Sequence, residues 1–317
     1  TTKPSNEAKI IAKSLLSNKS KAIFLSQQIL HLDDGDNIKL VAMHIAQAVG
    51  ATFGLIPGYA NSVGLNELNL NTDNISADKI LSQSKEAYIM MNFDPFYDYH
   101  SPKKINSALK KAKFNLAISP YISDSFKEFD VVLPMTPFTE TSGTFINMEK
   151  TIQSFSAVTP PAGQSRPGWK ILRVLANFLQ LEGFSYDSSE EVKTDAMIEI
   201  DKKNEFSLND FKPSNIERGL EVLNVVRAND SDMIVRRAPS LHQNKNKDQS
   251  CCLINPTTML EQGLIDGQKI KISSSEAEIL INVKADDNVC LNAVVIYGKQ
   301  DETFILGMHN KVKIKKA

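Results

Sequence analysis

The stretch SPKKINSALKKAKFNLAI, residues 101–118, predicts a helix that runs directly into a buried strand. Pro102 suits the first helical turn, because the N–H that proline lacks would have no partner there. Apolar residues then recur at the helical period, and the uncharged run Phe114–Ile118 has the composition of a strand buried on both faces. The helix would present one apolar face, made of Ile105, Ala108, Leu109 and Ala112.

The same alternation of helices and strands extends to both sides of this stretch. Strand–helix–strand units build a mostly parallel sheet with helices on both faces. We therefore predict an α/β fold with a Rossmann-like sheet over residues 1–200. The other predicted elements are helices over Glu7–Leu16, Asp36–Gly50 and Pro167–Gly183, and strands over Ala22–Leu25, Ala87–Met91 and Val131–Leu133.

The residue composition and the pattern of apolar runs change after residue 186. Ser188–Ile200 has a helical pattern, and Asp201–Asn215 is polar, as linkers are. From Arg236 onward the apolar runs are short and separated by Gly, Asp and Asn, which predicts a small β-barrel or β-sandwich. We expect a connecting segment at 201–235 and a β domain at 236–317. The tail Lys311–Lys316 alternates lysine with Val and Ile, which favours a solvated edge strand and leaves a partner contact as the alternative.

Charge and composition exclude several classes of protein. The 36 Lys and Arg residues nearly balance 37 Asp and Glu residues, so the chain as a whole is not drawn to nucleic acid or to anionic lipid. Leu40–Asn66 contains no charged residue, but glycines and Pro57 interrupt it, so we expect no membrane insertion. Because of the balanced charge, no nucleic acid is expected among the partners.

The cysteines and histidines argue against a metal site in this chain. The three cysteines, Cys251, Cys252 and Cys290, are too few for a four-thiolate iron–sulfur or zinc site, and we expect them to be small interior residues. Five scattered histidines show no ligand spacing. We also find no Walker A loop, dinucleotide fingerprint or nucleophile elbow, and therefore predict no catalytic residue and no metal.

Three segments could hold a ligand. Gly58–Gly64 is a small-residue turn that fits a corner better than a phosphate cradle. Glu140, Thr144 and neighbouring hydroxyls follow the strand at Val131–Leu133, where ligands of open α/β sheets bind. These side chains could equally satisfy the backbone of a long loop. Asn255-Pro256 and the Gly-x-x-Asp-Gly turn at 263–267 precede predicted barrel strands.

Together these segments resemble the molybdopterin oxidoreductase family. The resemblance rests on DVVLP at 130–134, on Glu140, Gly143-Thr144 and Asn147, and on the barrel motif that begins at Asn255. More narrowly, ANSVG at 60–64, Phe138–Asn147 and VRRAPSL at 235–241 resemble the large G subunit family of bacterial NADH-quinone oxidoreductases, respiratory complex I. This resemblance implies that residues 236–317 form a double-psi barrel like the family's dinucleotide-binding domain.

The resemblance also implies a function. The chain would be a structural, cofactor-free portion of the large iron–sulfur subunit, supporting electron transfer from NADH to quinone coupled to proton pumping. Iron–sulfur clusters would lie in an N-terminal portion outside this chain. The implied partners are those cluster-bearing domains and other peripheral-arm subunits, at the cytoplasmic side of the inner membrane. The remnant of a cofactor site would comprise Asn61, Glu140, Thr144, Asn147 and Asn255.

Two departures from the family argue against pterin binding, and one alternative remains. The family's Glu-Gly-Arg reads Glu149-Lys150-Thr151, and the Asp-Ala that follows Asn-Pro in cofactor-binding barrels reads Thr258-Met259. The alternative function is a subunit of an active molybdopterin-dependent oxidoreductase of the formate dehydrogenase type.

Overall fold

A computed structural model describes residues 3–17, 19–26, 29, 32, 34–68, 77–200, 219–243, 251–308 and 311–317. The described residues of 1–71, 143–155 and 190–216 form one compact unit, and those of 72–142, 156–189 and 217–317 form a second. The helices are α1 (Asn6–Leu15), α2 (Gly35–Val49), α3 (Ser62–Glu67), α4 (Ala77–Ser82), α5 (Pro102–Lys111), α6 (Gly168–Phe178), α7 (Ser189–Ile200), α8 (Met233–Arg236) and α9 (Pro256–Glu261). The strands are β1 (Ala22–Ser26), β2 (Thr52–Ile56), β3 (Ala87–Met91), β4 (Phe114–Ser119), β5 (Val131–Pro134), β6 (Gly143–Ile146), β7 (Ile152–Phe155), β8 (Leu220–Val225), β9 (Cys251–Ile254), β10 (Lys269–Ser273), β11 (Glu278–Ala285), β12 (Ala293–Tyr297) and β13 (Lys311–Lys316).

The first unit contains a parallel strand pair and a hairpin. Strands β1 and β2 pair in parallel and are joined through α2, which ends at Gly50 in the left-handed conformation (φ 63°). Strands β6 and β7 form an antiparallel hairpin. The sequence predicted a loop over this segment. The strand signal is weak because the hairpin is short and the side chains of β7 are all exposed. The uncharged stretch 40–66 divides into α2, β2 and α3, and no described helix is long and apolar enough to cross a membrane.

The second unit holds the sheet that the opening stretch predicts. Strands β3, β4 and β5 pair in parallel in that order. On one face, Ile105 and Leu109 of α5 are fully buried with Tyr88 of β3. On the other face, Leu116 and Ile118 of β4 pack with apolar side chains of α6. The parallel sheet with helices on both faces is therefore confirmed.

A closed six-stranded barrel follows in the same unit. Its strand order is β10-β11-β9-β12-β8-β13, and alternate side chains of these strands form the largest buried apolar cluster of the described residues. The predicted fold class, an α/β sheet followed by a β-barrel, is thus confirmed.

Two details of the barrel differ from the sequence-based interpretation. Strand β8 lies inside the stretch 201–235 that was expected to connect the domains. Strand β13 pairs with β10 and with β8, so the edge-strand interpretation of the lysine-rich tail is wrong. A closed barrel has no free edge, and the local pattern of a strand does not reveal how many neighbours it has. The proposed linker Asp201–Asn215 lies outside the described residues, and the domain boundaries stay a prediction.

Candidate functional site

Asn61 lies at the start of α3 and links that helix to the hairpin. Its Oδ1 accepts a hydrogen bond from the backbone N–H of Ile146 in β6, at 3.0 Å. A Cβ at Gly64 would collide with this carboxamide, so glycine is required for the close approach. The Asn61 side chain therefore holds α3 against β6.

Asn147 and Thr144 organise the hairpin itself. The Oδ1 of Asn147 accepts hydrogen bonds from the N–H groups of Glu149 (3.0 Å) and Thr151 (2.9 Å), which builds the turn between β6 and β7. Lys150 occupies the left-handed region (φ 61°) in that turn, where the glycine of the family motif would be less strained. The Thr144 hydroxyl contacts the Ser154 hydroxyl across the strands at 3.0 Å.

Glu140 lies in the second unit, in a short 3₁₀ turn over Phe138–Glu140. Its Oε2 accepts a hydrogen bond from the backbone N–H of Ala162 at 2.9 Å. A neighbouring backbone bond, from the N–H of Val158 to the carbonyl of Thr139, joins the same two segments at 2.9 Å. Glu140 thus has a partner within its own loop, and its role stays a prediction.

Asn255 caps α9 in the barrel. Its Oδ1 accepts from the N–H of Thr257 at 3.0 Å, and its Nδ2 donates to the carbonyl of Val289 at 2.9 Å. Thr258, at the position where cofactor-binding barrels carry aspartate, is fully buried, and its hydroxyl accepts from the N–H of Asn292 at 3.0 Å. The carboxamide of Asn255 and the hydroxyl of Thr258 are both hydrogen-bonded to backbone groups.

A charged cluster that the sequence analysis did not assign lies at the carboxyl end of β3. The fully buried Asp94 faces Arg237, with Oδ2 and Nη2 3.3 Å apart, and Arg236 at 4.0 Å. Asp98 accepts from Nη2 of Arg236 at 3.1 Å and lies 3.5 Å from Nζ of Lys299. We call these five residues the crevice ion pairs. The sequence showed VRRAPSL only as a family motif, since its partners lie more than 130 residues earlier.

Helix α8 closes the space above this end of the sheet. Met233 is 5% exposed, and its Sδ lies 3.9 Å from the hydroxyl of Ser119 at the end of β4. The Arg236 and Arg237 guanidinium groups stack over Tyr97 and Tyr121, at 5.0 Å and 5.3 Å from the ring centres. In open α/β sheets the carboxyl ends of the strands are where ligands bind. Here the chain's own residues fill that position at β3 and β4.

The cysteines and histidines show no metal centre in the described part of the chain. Among the described residues, no group of three or more His, Cys, Asp or Glu side chains could hold a metal ion. Cys252 is buried in the barrel, and burial raises the pKa of its thiol to about 12. Cys290 is exposed, because it lies in the turn before β12. The expectation that it is an interior residue is therefore wrong. His31 and His309 lie outside the described residues.

Individual relatives match limited parts of the chain. The G subunit of NADH-quinone oxidoreductase from Shewanella oneidensis is 28% identical over 149 residues, which are 45% of this chain and 16% of that protein. A putative formate dehydrogenase of Staphylococcus aureus is 33% identical over 28% of this chain and 9% of its own length. The catalytic subunit of the assimilatory nitrate reductase of Bacillus subtilis is 28% identical over 41% of this chain and 19% of its own length. The matches thus span less than a fifth of each of these relatives.

A solved structure and a family model agree on a broader likeness. Acetylene hydratase from Pelobacter acetylenicus shares the fold, with a TM-score of 0.51 at 12% identity, over 74% of this chain and 39% of that one. The model of the family described as molybdopterin oxidoreductase matches residues 5–178, more than half of the sequence. The chain belongs to the molybdopterin oxidoreductase family.

Proposed function

We propose that this chain is a structural, cofactor-free portion of the large iron–sulfur subunit of an NADH:quinone oxidoreductase. The observation that carries the proposal is the filled end of the sheet: α8 and the crevice ion pairs occupy the place where an open α/β sheet would take a ligand. A chain that closes this place with its own side chains is suited to packing and to excluding water.

The residues present do not fit a pterin dinucleotide well. A cofactor of that kind needs unpaired donors and acceptors to hold its phosphates and rings. The side chains of Asn61, Thr144, Asn147 and Asn255 all have hydrogen-bond partners within the chain. A cofactor that used the bonded oxygen atoms of these side chains would compete with these bonds, each worth about 0.5–1.5 kcal/mol. No catalytic step through such a cofactor is therefore derived for these residues.

One of the relatives supports the respiratory assignment. The Shewanella match is named as the G subunit of NADH-quinone oxidoreductase. By that analogy the chain would contact cluster-bearing domains of its own polypeptide and other peripheral-arm subunits, at the cytoplasmic side of the inner membrane. Its contribution to electron transfer would be indirect. The chain would pack against the domains that hold the iron–sulfur clusters and exclude water from their surroundings.

A second candidate function is supported by the other matches. Relatives named as formate dehydrogenase and nitrate reductase are 33% and 28% identical, comparable with the Shewanella match. The chain would then belong to an active molybdopterin-dependent oxidoreductase of the formate dehydrogenase type.

Cofactor content distinguishes the two candidates. We would purify the complete natural polypeptide that contains this chain and measure molybdenum and tungsten by mass spectrometry, together with the fluorescent pterin released by acid oxidation. The scaffold proposal expects neither metal and no pterin. Stoichiometric metal with pterin would overturn it in favour of the second candidate.

Glu140 tests the same question through activity. In assembled complex, Glu140→Gln should leave NADH oxidation by quinone near the normal rate, because glutamine keeps an oxygen that can accept from the Ala162 N–H. A general acid or base at this position would lose about 10²–10⁴-fold in rate. A fall of that size in correctly assembled complex would refute the scaffold role of this loop.

A further inference from the structure

One side of the barrel carries an unbalanced set of lysines. Strands β11, β10 and β13 are neighbours, and their buried positions alternate with outward ones. The outward positions hold six lysines and a single glutamate, Glu278. We call this surface the lysine face; its lysines are Lys269, Lys271, Lys284, Lys311, Lys313 and Lys315.

The arrangement of these lysines is unfavourable in the isolated chain. Lys271 and Lys315 are directly opposite each other across β10 and β13. Like charges at such positions destabilise a sheet. Lys271 has an ion pair within the lysine face, to Glu278 at 2.8 Å. The closed barrel leaves no edge for the lysines to protect, so edge protection does not explain them.

The lysine face already binds one carboxylate. Glu278 receives hydrogen bonds from Nζ of Lys271 at 2.8 Å and from the hydroxyl of Ser273 at 2.9 Å. These bonds, that of Lys271 first, lower the pKa of the Glu278 carboxyl below its ordinary value. Carboxylates are therefore chemically compatible with this surface.

We propose that the lysine face is a docking surface for an acidic protein partner. Leu280, opposite Lys271 in the sheet, is 61% exposed and supplies an apolar contact among the lysines, as protein interfaces have. The outward side chains include no aromatic residue and no arginine. A membrane surface would favour aromatic and apolar side chains that insert, and a nucleic acid would favour aromatic stacking or arginine. The charge complementarity thus points to Asp and Glu side chains on a protein, and it does not depend on whether a pterin is bound.

The test uses the whole chain and labelled poly-L-glutamate as the acidic probe, at low salt. We expect salt-sensitive binding, with Lys313 and Lys315 protected from acetylation by the probe. Lys313→Glu with Lys315→Glu should raise the Kd about tenfold or more. A matched double charge reversal on the exposed helix α1, Lys9→Glu with Lys13→Glu, should leave the Kd within about twofold.

Folding and the competing partners are controlled in the same experiment. The variant on the lysine face should stay folded, because the charge reversal at position 315 would remove the repulsion between positions 271 and 315; Lys313→Gln with Lys315→Gln provides a milder variant if it does not. The absence of poly-L-glutamate binding, or equal losses in the face and α1 variants, would overturn the proposal. Tighter binding to phosphatidylglycerol vesicles or to oligothymidylate, with the same lysines protected, would also overturn it and identify lipid or nucleic acid instead.

Discussion

Asp94→Asn should lower the free energy of unfolding of the second unit by about 3 kcal/mol. The Asp94 side chain is fully buried and lies 3.3 Å from Arg237 and 4.0 Å from Arg236. Removing one partner of a buried ion pair costs about 3–5 kcal/mol, because the remaining charge is left uncompensated. The lower end applies here, since Arg236 keeps Asp98 at 3.1 Å and Arg237 is 24% exposed.

The measurement is urea and thermal unfolding of the wild type and the variant. Asparagine keeps the volume of Asp94 and the oxygen that accepts from the N–H of Phe96, while it removes the negative charge and replaces the oxygen that faces Arg237 with an amide donor. A loss of about 3 kcal/mol corresponds to about 6–12 °C in Tm for a domain of about 150–250 residues. Asp287→Asn, on the exposed surface, serves as the control and should change stability by less than about 0.5 kcal/mol.

A double-mutant cycle with Arg237→Gln separates the pair from its surroundings. If the reasoning holds, Asp94→Asn with Arg237→Gln is less destabilised than the sum of the two single variants, by about 1–3 kcal/mol. An Asp94→Asn variant within about 1 kcal/mol of wild type, or additive single effects, would refute the reasoning that this end of the sheet is held by charge.

Three further outcomes follow from local contacts. Burial would raise the pKa of Asp78, but hydrogen bonds from Lys104, Tyr99 and His100 outweigh it and hold that pKa well below its ordinary value. Asp78 therefore adds stability that is fully present above about pH 4 and lost as the pH falls through the lowered pKa. The Tm difference between wild type and Asp78→Asn should be about 2–4 °C near pH 7, given the exposure of the pair, and should shrink as the pH falls from about 4 to 2; a difference that is undiminished at about pH 2 would contradict this. After treatment with iodoacetamide at about pH 8, mass spectrometry should show that the exposed Cys290 is modified. The buried Cys252 should stay unmodified until urea unfolds the chain. Labelling of Cys252 before unfolding would contradict the barrel assignment. Asn147→Ala should destabilise the hairpin by about 1–2 kcal/mol, seen as faster amide exchange in β6 and β7, whereas unchanged exchange would mean that the side chain does not build the turn.

Elements with strong local signals were predicted well from the sequence. The strand expected at Ala87–Met91 is found at those residues, and the helix expected from Pro102 to Lys111 has Ser101 as its cap, accepting from the N–H of Lys104. These elements are specified by apolar periodicity and by terminal residues that act within one turn. The order of alternating elements was therefore enough to predict the parallel sheet.

Elements that depend on distant partners were missed. Strand β2 (Thr52–Ile56) contains Gly54, packed under the ring of Phe24, so its local strand signal is weak. The pairing of Asp94 with Arg237 depends on how two segments 143 residues apart meet, which no local pattern encodes. For the candidate site, the sequence indicated which residues are polar, but only the folded structure shows that Asn147 and Asn255 are directed to backbone groups of their own turns.

The strand order of the barrel has a consequence for synthesis on the ribosome. Strand β8 is the first barrel strand to emerge, yet its two neighbours, β12 and β13, are the last. The barrel therefore cannot close until residues up to Lys316 have left the exit tunnel. Until then, the apolar side chains of β9, β10 and β11 remain only partly buried. Such non-local pairing is slow and exposes strand edges to neighbouring nascent chains. We expect the barrel to depend on chaperones more strongly than the α/β sheet, whose three strands emerge within about fifty residues of one another.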